Sequence, residues 1–249
     1  NYNVAIGDEA GTAITTGDYN TVIGYIAGDA ITTGGENTFL GYNSGSGNVS
    51  GNYNTFLGSG AGAATTGSDS TGVGRNAMTA NTTGINVAVG YRALDANTTG
   101  TSNVALGVDA LGANVAGDQS VAVGHEALLV QNPSGNVDMD NVAVGYRALY
   151  ANTTGTQNNA IGSGALDANT TASYNTAMGH NALGANTTGA GNTALGQTAL
   201  TATTTGAQNV GIGAGAGAAI TTANNNTAVG YTALAANTTG LQNIEIGKS

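Results

Sequence analysis

His125 and His180 are the only imidazoles the chain offers for general acid–base work or for holding a metal. Both occupy the sixth place of a repeating unit, a place filled elsewhere by Tyr25, Tyr91, Tyr146, Tyr231, Arg75, Ser163 and Lys248. A place that accepts aromatic, cationic and small polar residues alike reads as solvent-exposed. The two histidines lie three units apart, about 14 Å at the ~4.8 Å spacing of neighbouring strands, too far to share a metal. Carboxylates are scattered, and the close pairs are Asp8-Glu9 and Asp138/Asp140. A pair falls short of the roughly six to eight oxygens that Ca²⁺ takes. Gly58-Ser59-Gly60-Ala61-Gly62 mimics a phosphate-cradling loop in glycine content, yet no helix pattern and no lysine follow it. There is no cysteine, so no thiolate nucleophile or ligand. The expectation is a protein with no catalytic set, no cofactor and no metal site, and so not an enzyme.

What remains is recognition chemistry. Tyrosines at the sixth place, or just before a unit (Tyr2, Tyr19, Tyr53, Tyr174), could stack on glycans or pack over small residues. Asn-Thr-Thr at Asn81, Asn97, Asn152, Asn169, Asn186 and Asn237 matches the acceptor triplet for N-glycosylation, and the same residues suit turns. Rows of threonine raise ice binding as a rival function. Adjacent Thr-Thr, however, splits its side chains between two faces, where Thr-x-Thr would align them.

All of these residues hang on one recurring pentad, Asn-Thr-Ala-Val-Gly, as at Asn226 to Gly230. It starts at Asn3, Asn20, Asn37, Asn54, Ser70, Asn86, Asn103, Ser120, Asn141, Asn158, Asn175, Asn192, Asn209, Asn226 and Asn243. Neighbouring starts differ by 17 residues, with two steps of 16 and one of 21. Fifteen units at one period are the signature of stacked repeats, each of which buries its neighbour's face. The composition agrees: 42 glycines, one proline, 7% charged and 5% aromatic residues leave little for a wide core. Small side chains in register can fill a narrow one.

The pentad is extended, with β-branched or aliphatic residues at places two and four. Place four is apolar throughout and is expected to form the core ladder: Ile6, Ile23, Leu40, Leu57, Val73, Val89, Leu106, Val123, Val144, Ile161, Met178, Leu195, Ile212, Val229 and Ile246. Place three, mostly alanine with Phe39 and Phe56 early on, points the other way and is expected to form a second dry surface. A second short extended stretch is expected around the Ala-Leu at places eight and nine. Early units carry Ala-Gly there, a variation within one solenoid. Glycines at places five and fifteen allow turns with positive φ. Glycine and threonine are too dense for helices.

The expected fold is therefore all-β: a parallel β-solenoid of about 17 residues per coil and 15 coils, roughly 70 Å long at ~4.8 Å per coil. One domain is expected over 1–249, with an insertion loop at about 129–140 around the lone proline, Pro133. Net charge is −10 and only Arg75, Arg92, Arg147 and Lys248 are basic, which excludes a nucleic-acid groove and an anionic membrane surface as partners. No run of about 18 apolar residues is present to insert in a bilayer.

The repeated unit resembles the YadA-like head of trimeric autotransporter adhesins. Ser120-Val121-Ala122-Val123-Gly124 followed by Ala127 carries the resemblance best, and it extends over essentially the whole chain. Units with an Asn-Thr-Thr-Gly spacer are also similar to tail-fibre-type repeats of bacteria and phages. The resemblance implies a left-handed β-roll, a side-by-side homotrimer, and an extracellular or cell-surface adhesin or fibre whose partners are its own copies and host or surface glycans. The common unit of that family is shorter, and no heptad pattern is present. The chain thus reads as a head or shaft segment, or as a filament subunit stacking end to end.

Overall fold

The structure is a computed structural model that describes residues 2–82 and 84–248. Among these residues there are strands and turns but no helix, and the chain is a parallel β-solenoid of about 14 turns with ~17 residues per turn. Contacts separate two compact units, Asn1–Gln119 with Asn132–Val137, and Ser120–Gln131 with Asp138–Ser249. The sequence reading has one domain over 1–249. The boundary between the two units in the sequence falls around the insertion.

The first unit carries β1 (Val4–Ile6), β2 (Thr21–Ile23), β3 (Thr38–Leu40), β4 (Thr55–Leu57), β5 (Thr71–Val73), β6 (Val87–Val89), β7 (Val104–Leu106) and the two-residue β8 (Gly117–Asp118). β1 to β7 pair in sequence order, parallel, with equivalent residues opposite one another, as Thr38 on Thr55, Phe39 on Phe56 and Leu40 on Leu57. The second unit begins with β9 (Val121–Val123). The short β10 (Val137–Asp138) lies in the insertion and has one residue in each unit. Then come β11 (Val142–Val144), β12 (Asn159–Ile161), β13 (Thr176–Met178), β14 (Thr193–Leu195), β15 (Val210–Ile212), β16 (Thr227–Val229) and β17 (Ile244–Ile246). β11 pairs with β9 in full register, Val142 on Val121, despite the four extra residues between them.

The faces of the strand are the reverse of the sequence expectation. Place three is the interior: Val22, Phe39, Phe56, Ala88, Ala105, Ala122, Ala143, Ala160, Ala177, Ala194 and Ala228 are fully buried. The expected core ladder faces outward. Ile6, Leu40, Leu57, Leu106, Ile161, Met178, Ile212 and Ile246 are exposed, and Ile23, Val73, Val89, Val123, Val144, Leu195 and Val229 are half-buried. The reason is parity along the strand. Places one and three share a side, and place one is an asparagine whose amide is used inside the coil.

That amide is worth following. Asn20 Nδ2 donates to Gly34 O at 2.9 Å, and Asn20 Oδ1 accepts the Asn37 backbone N–H at 3.1 Å. In the second unit Asn192 repeats this with Gly206 O at 2.8 Å and the Asn209 N–H at 2.9 Å. Each asparagine therefore closes its own coil and ties it to the next. Burial of such a side chain is tolerated because it is fully paired. It brings place three in with it.

The second extended stretch is replaced by turns. Places seven and nine adopt left-handed backbone, as at Arg92 (φ 53), Leu94 (φ 55), Asn181 (φ 52) and Leu183 (φ 50). A leucine there is strained by its Cβ. The strain is offset because Leu94, Leu111, Leu149 and Leu183 are fully buried, each worth about 1.5–3 kcal/mol of transfer from water. These turns still ladder coil to coil: Leu94 N–H donates to Ala110 O at 3.0 Å and Leu183 N–H to Ala199 O at 3.0 Å.

The two spacer flavours are explained by core volume. Where place nine is Gly45 or Gly62, the ring of Phe39 or Phe56 from place three fills the space a side chain would need, and these rings stack with centroids 5.3 Å apart. At Gly28 the space is taken by Ile31, Val22 and Phe39 together. Where place nine is leucine, place three shrinks to alanine, and place twelve becomes asparagine, glutamine or threonine.

Candidate functional site

The outer face of the strand row is a regular surface in each unit. Place two contributes mostly threonine and valine and place four aliphatic residues, so each strand presents two outward side chains flanked by like neighbours. In the first unit Leu40 and Leu106 are 41% and 46% exposed, and in the second unit Met178 is 44% exposed. Rows of this kind on a soluble surface mark an association face more often than a bare one.

A second row runs along places six and seven. His125 and His180 lie there and are exposed, as the sequence reading expects. So do Tyr25 and Tyr42, stacked with centroids 5.9 Å apart, and Tyr91, beneath the Arg75 guanidinium at 4.6 Å. The tyrosines that precede a unit are exposed as well, and Tyr2 stacks on Tyr19 at 5.1 Å. In the second unit Arg147 lies over Tyr150 at 4.0 Å and pairs with Asp167 at 3.4 Å and Glu126 at 3.8 Å. Burial lowers the pKa of Arg147, but Asp167 and Tyr146 raise it further, so it stays charged. Burial pushes Asp167 up against the pull of Arg147.

The Asn-Thr-Thr triplets are interior turns. Asn81, Asn97, Asn152, Asn169 and Asn186 are fully buried, and Asn237 is half-buried. Asn97 Nδ2 donates to Asn81 Oδ1 at 2.8 Å and to Gly100 O at 2.9 Å. Asn169 and Asn186 repeat this with Asn152 and Asn169 at 2.9 Å each. Asn237 Nδ2 is bound to Gly240 O at 3.0 Å. At Asn97, Asn169 and Asn186 both amide hydrogens are thus committed, and a sugar on the nitrogen would have to fit inside the coil. Of the two readings of these triplets, acceptor site and turn, the folded chain shows the turn. The Thr83 that completes the Asn81 triplet lies outside the described residues. Expression through a glycosylating secretory route should give a folded protein whose intact mass equals the bare chain. A folded, soluble product with hexose-bearing mass increments would contradict this packing.

The chain matches no family model, no curated protein and no solved structure.

The threonines after these asparagines are also committed. Thr153 Oγ1 donates to Thr170 O at 3.0 Å, Thr170 to Thr187 O at 3.1 Å and Thr187 to Thr204 O at 3.0 Å. The spacer row ties coil to coil with the hydroxyl hydrogens it would need as donors to ice. Near the insertion, Thr99 Oγ1 donates to Asn136 Oδ1 at 2.7 Å, which pins the loop to the first unit. Asp138 and Asp140 are exposed there, and the described residues hold no group of three or more metal-ligating side chains. Glu245, which breaks the alanine series at place three, is turned inward, and its carboxylate accepts the Leu234 N–H at 2.8 Å.

Proposed function

We propose that the protein is a structural, adhesive fibre component outside the cell, whose coils form a stiff scaffold that associates with further copies through the outer strand face. The observation that carries this reading is the row of exposed place-four residues, Leu40, Leu57, Leu106, Ile161, Met178 and Ile212 among them. Alignment of such faces in a side-by-side trimer of left-handed rolls would remove that area from water, at about 25 cal/mol per Å². End-to-end stacking would extend the trimer into a filament. Adhesion then follows from many weak contacts acting together, with surface glycans met by the exposed tyrosines. Native mass spectrometry should give a trimer. Leu106→Lys with Met178→Lys should shift it to monomer while circular dichroism stays that of the parent, because both side chains point away from the core. A monomeric parent at micromolar concentration would sink the reading.

Ice binding is the second reading. Thr21, Thr38, Thr55 and Thr71 stand opposite one another at place two, beside Ile23, Leu40, Leu57 and Val73, and so form a regular outward array. Thermal hysteresis in a cooled solution would support it over association.

A further inference from the structure

The row at places six and seven has three glycines at place seven, and they are not equivalent. Beside Gly60 the space where a side chain would go holds Asn76 Oδ1 from the next coil, and beside Gly164 it holds Asn181 Oδ1. Beside Gly215 the next coil offers Thr232, whose shorter side chain only reaches the edge, with Cγ2 3.3 Å from the position of a built Cβ. Place six in that coil is Ala214, so the neighbouring column is low as well. The result is a notch of about 240 Å³ lined by Gln197, Thr198, Ala214, Gly215, Tyr231 and Thr232.

We propose that this notch binds one neutral hexopyranose ring. Its walls are two coils apart, roughly 10 Å between backbones. One wall is the Tyr231 ring, 60% exposed. Lys248 approaches that ring from the following coil at 6.0 Å, so the preceding side is the one that faces the notch. The other wall is the exposed Gln197 amide, with both a donor and an acceptor. Thr198 Oγ1 already donates to Gln197 O at 2.8 Å and so presents its lone pairs, while Thr232 adds a hydroxyl on the aromatic side. No charged side chain lines the notch. An aromatic plate facing amide and hydroxyl groups, with an apolar floor of Ala214 and Gly215, matches a ring that has C–H bonds on its faces and hydroxyls on its rim. An anionic ligand would find no cation in the lining, and a purely apolar one would strand the Gln197 amide. The volume suits one ring and no more, so binding is weak by itself and gains strength only by repetition.

The proposal rests on the adhesive reading above, in which surface glycans are partners, and assigns the chemistry of one contact. Saturation-transfer NMR on the whole chain with methyl glucopyranoside, galactopyranoside and mannopyranoside tests it, with native mass spectrometry on the same samples. At least one glycoside should bind in the millimolar range, and Tyr231→Ala or Gln197→Ala should weaken it tenfold or more. Thr232→Asn should abolish binding by rebuilding the plug that Asn76 and Asn181 provide. It should also leave melting unchanged or raised, since asparagine tolerates the left-handed backbone that Thr232 adopts (φ 54). Absence of transfer with all three glycosides overturns the proposal, as does full binding by Thr232→Asn or binding of oligosaccharides without the methyl glycoside. Sugar binding lost while the oligomer persists condemns only the variant's notch. A monomer that still binds sugar condemns the association reading and leaves the notch standing.

Discussion

Gly179→Ala is expected to cost roughly 3–5 kcal/mol and to lower the denaturant midpoint of the second unit sharply. Two effects combine. Gly179 sits at φ 138, a backbone conformation that only glycine adopts without strain. A Cβ there would also lie 2.5 Å from Gly196 O, the backbone of the next coil. That oxygen cannot retreat, because Gly179 and Gly196 belong to the same stacked ladder, in which Gly179 N–H donates to Ile161 O and Gly196 N–H to Met178 O, both at 2.8 Å. Gly135 supplies the internal comparison. It has φ 114 and nothing within 4 Å of a built Cβ, so Gly135→Ala carries the backbone strain without the collision, about 1–2 kcal/mol. Equal losses for the two variants in urea titrations would show that close coil approach is not what requires glycine at place five.

Asn158→Ala should be the next most damaging change. Asn158 Nδ2 donates to Ala172 O at 2.8 Å, and its Oδ1 accepts the Asn175 N–H at 3.0 Å. Removing the side chain leaves a buried carbonyl and a buried N–H unpaired, at about 1–3 kcal/mol each. The chain itself shows how the loss can be repaired. Where place one is Ser120, place twelve is Gln131, whose Nε2 donates to Ser120 Oγ at 3.1 Å and whose Oε1 accepts from Asn141 Nδ2 at 2.9 Å. Asn158→Ser with Asn169→Gln copies that arrangement and should recover at least about 1 kcal/mol relative to Asn158→Ser alone. Simple additivity of the two substitutions would mean that the glutamine does not reach across.

These two positions also show how far the sequence could be read. The period, the extended pentad, the parallel register and the place-one ladder are all visible in the spacing of Asn and Gly. The orientation of the strand is harder, because places three and four are both largely apolar and place two is mostly threonine or valine, so hydrophobicity does not choose a side. What decides it is the place-one asparagine: its amide closes the coil from inside, and place three shares its side. The left-handed turns at Leu94 and Leu183 run against local preference and are imposed by burial, which no single-residue propensity reports. The Asn-Thr-Thr triplets carried an acceptor pattern whose turn role appears only when the amide is seen bound to the preceding coil's asparagine and to Gly100 or Gly189. The notch at Gly215 was written in the place-seven column, as Asn76 and Asn181 against Thr232, but it becomes a shape only once the coils are stacked.

The matched pairs of large and small residues in the core have a consequence for how the chain finds its alignment. Nearly identical units could slide past one another by a whole period and still form their backbone ladders. A slipped coil would press a leucine of place nine against Phe39, where Gly28 of the preceding coil now gives way, or a larger place-three residue against Phe56, where Gly72 of the following coil does. The irregular units thus act as an address system within an otherwise interchangeable series, giving each coil one partner it can accept.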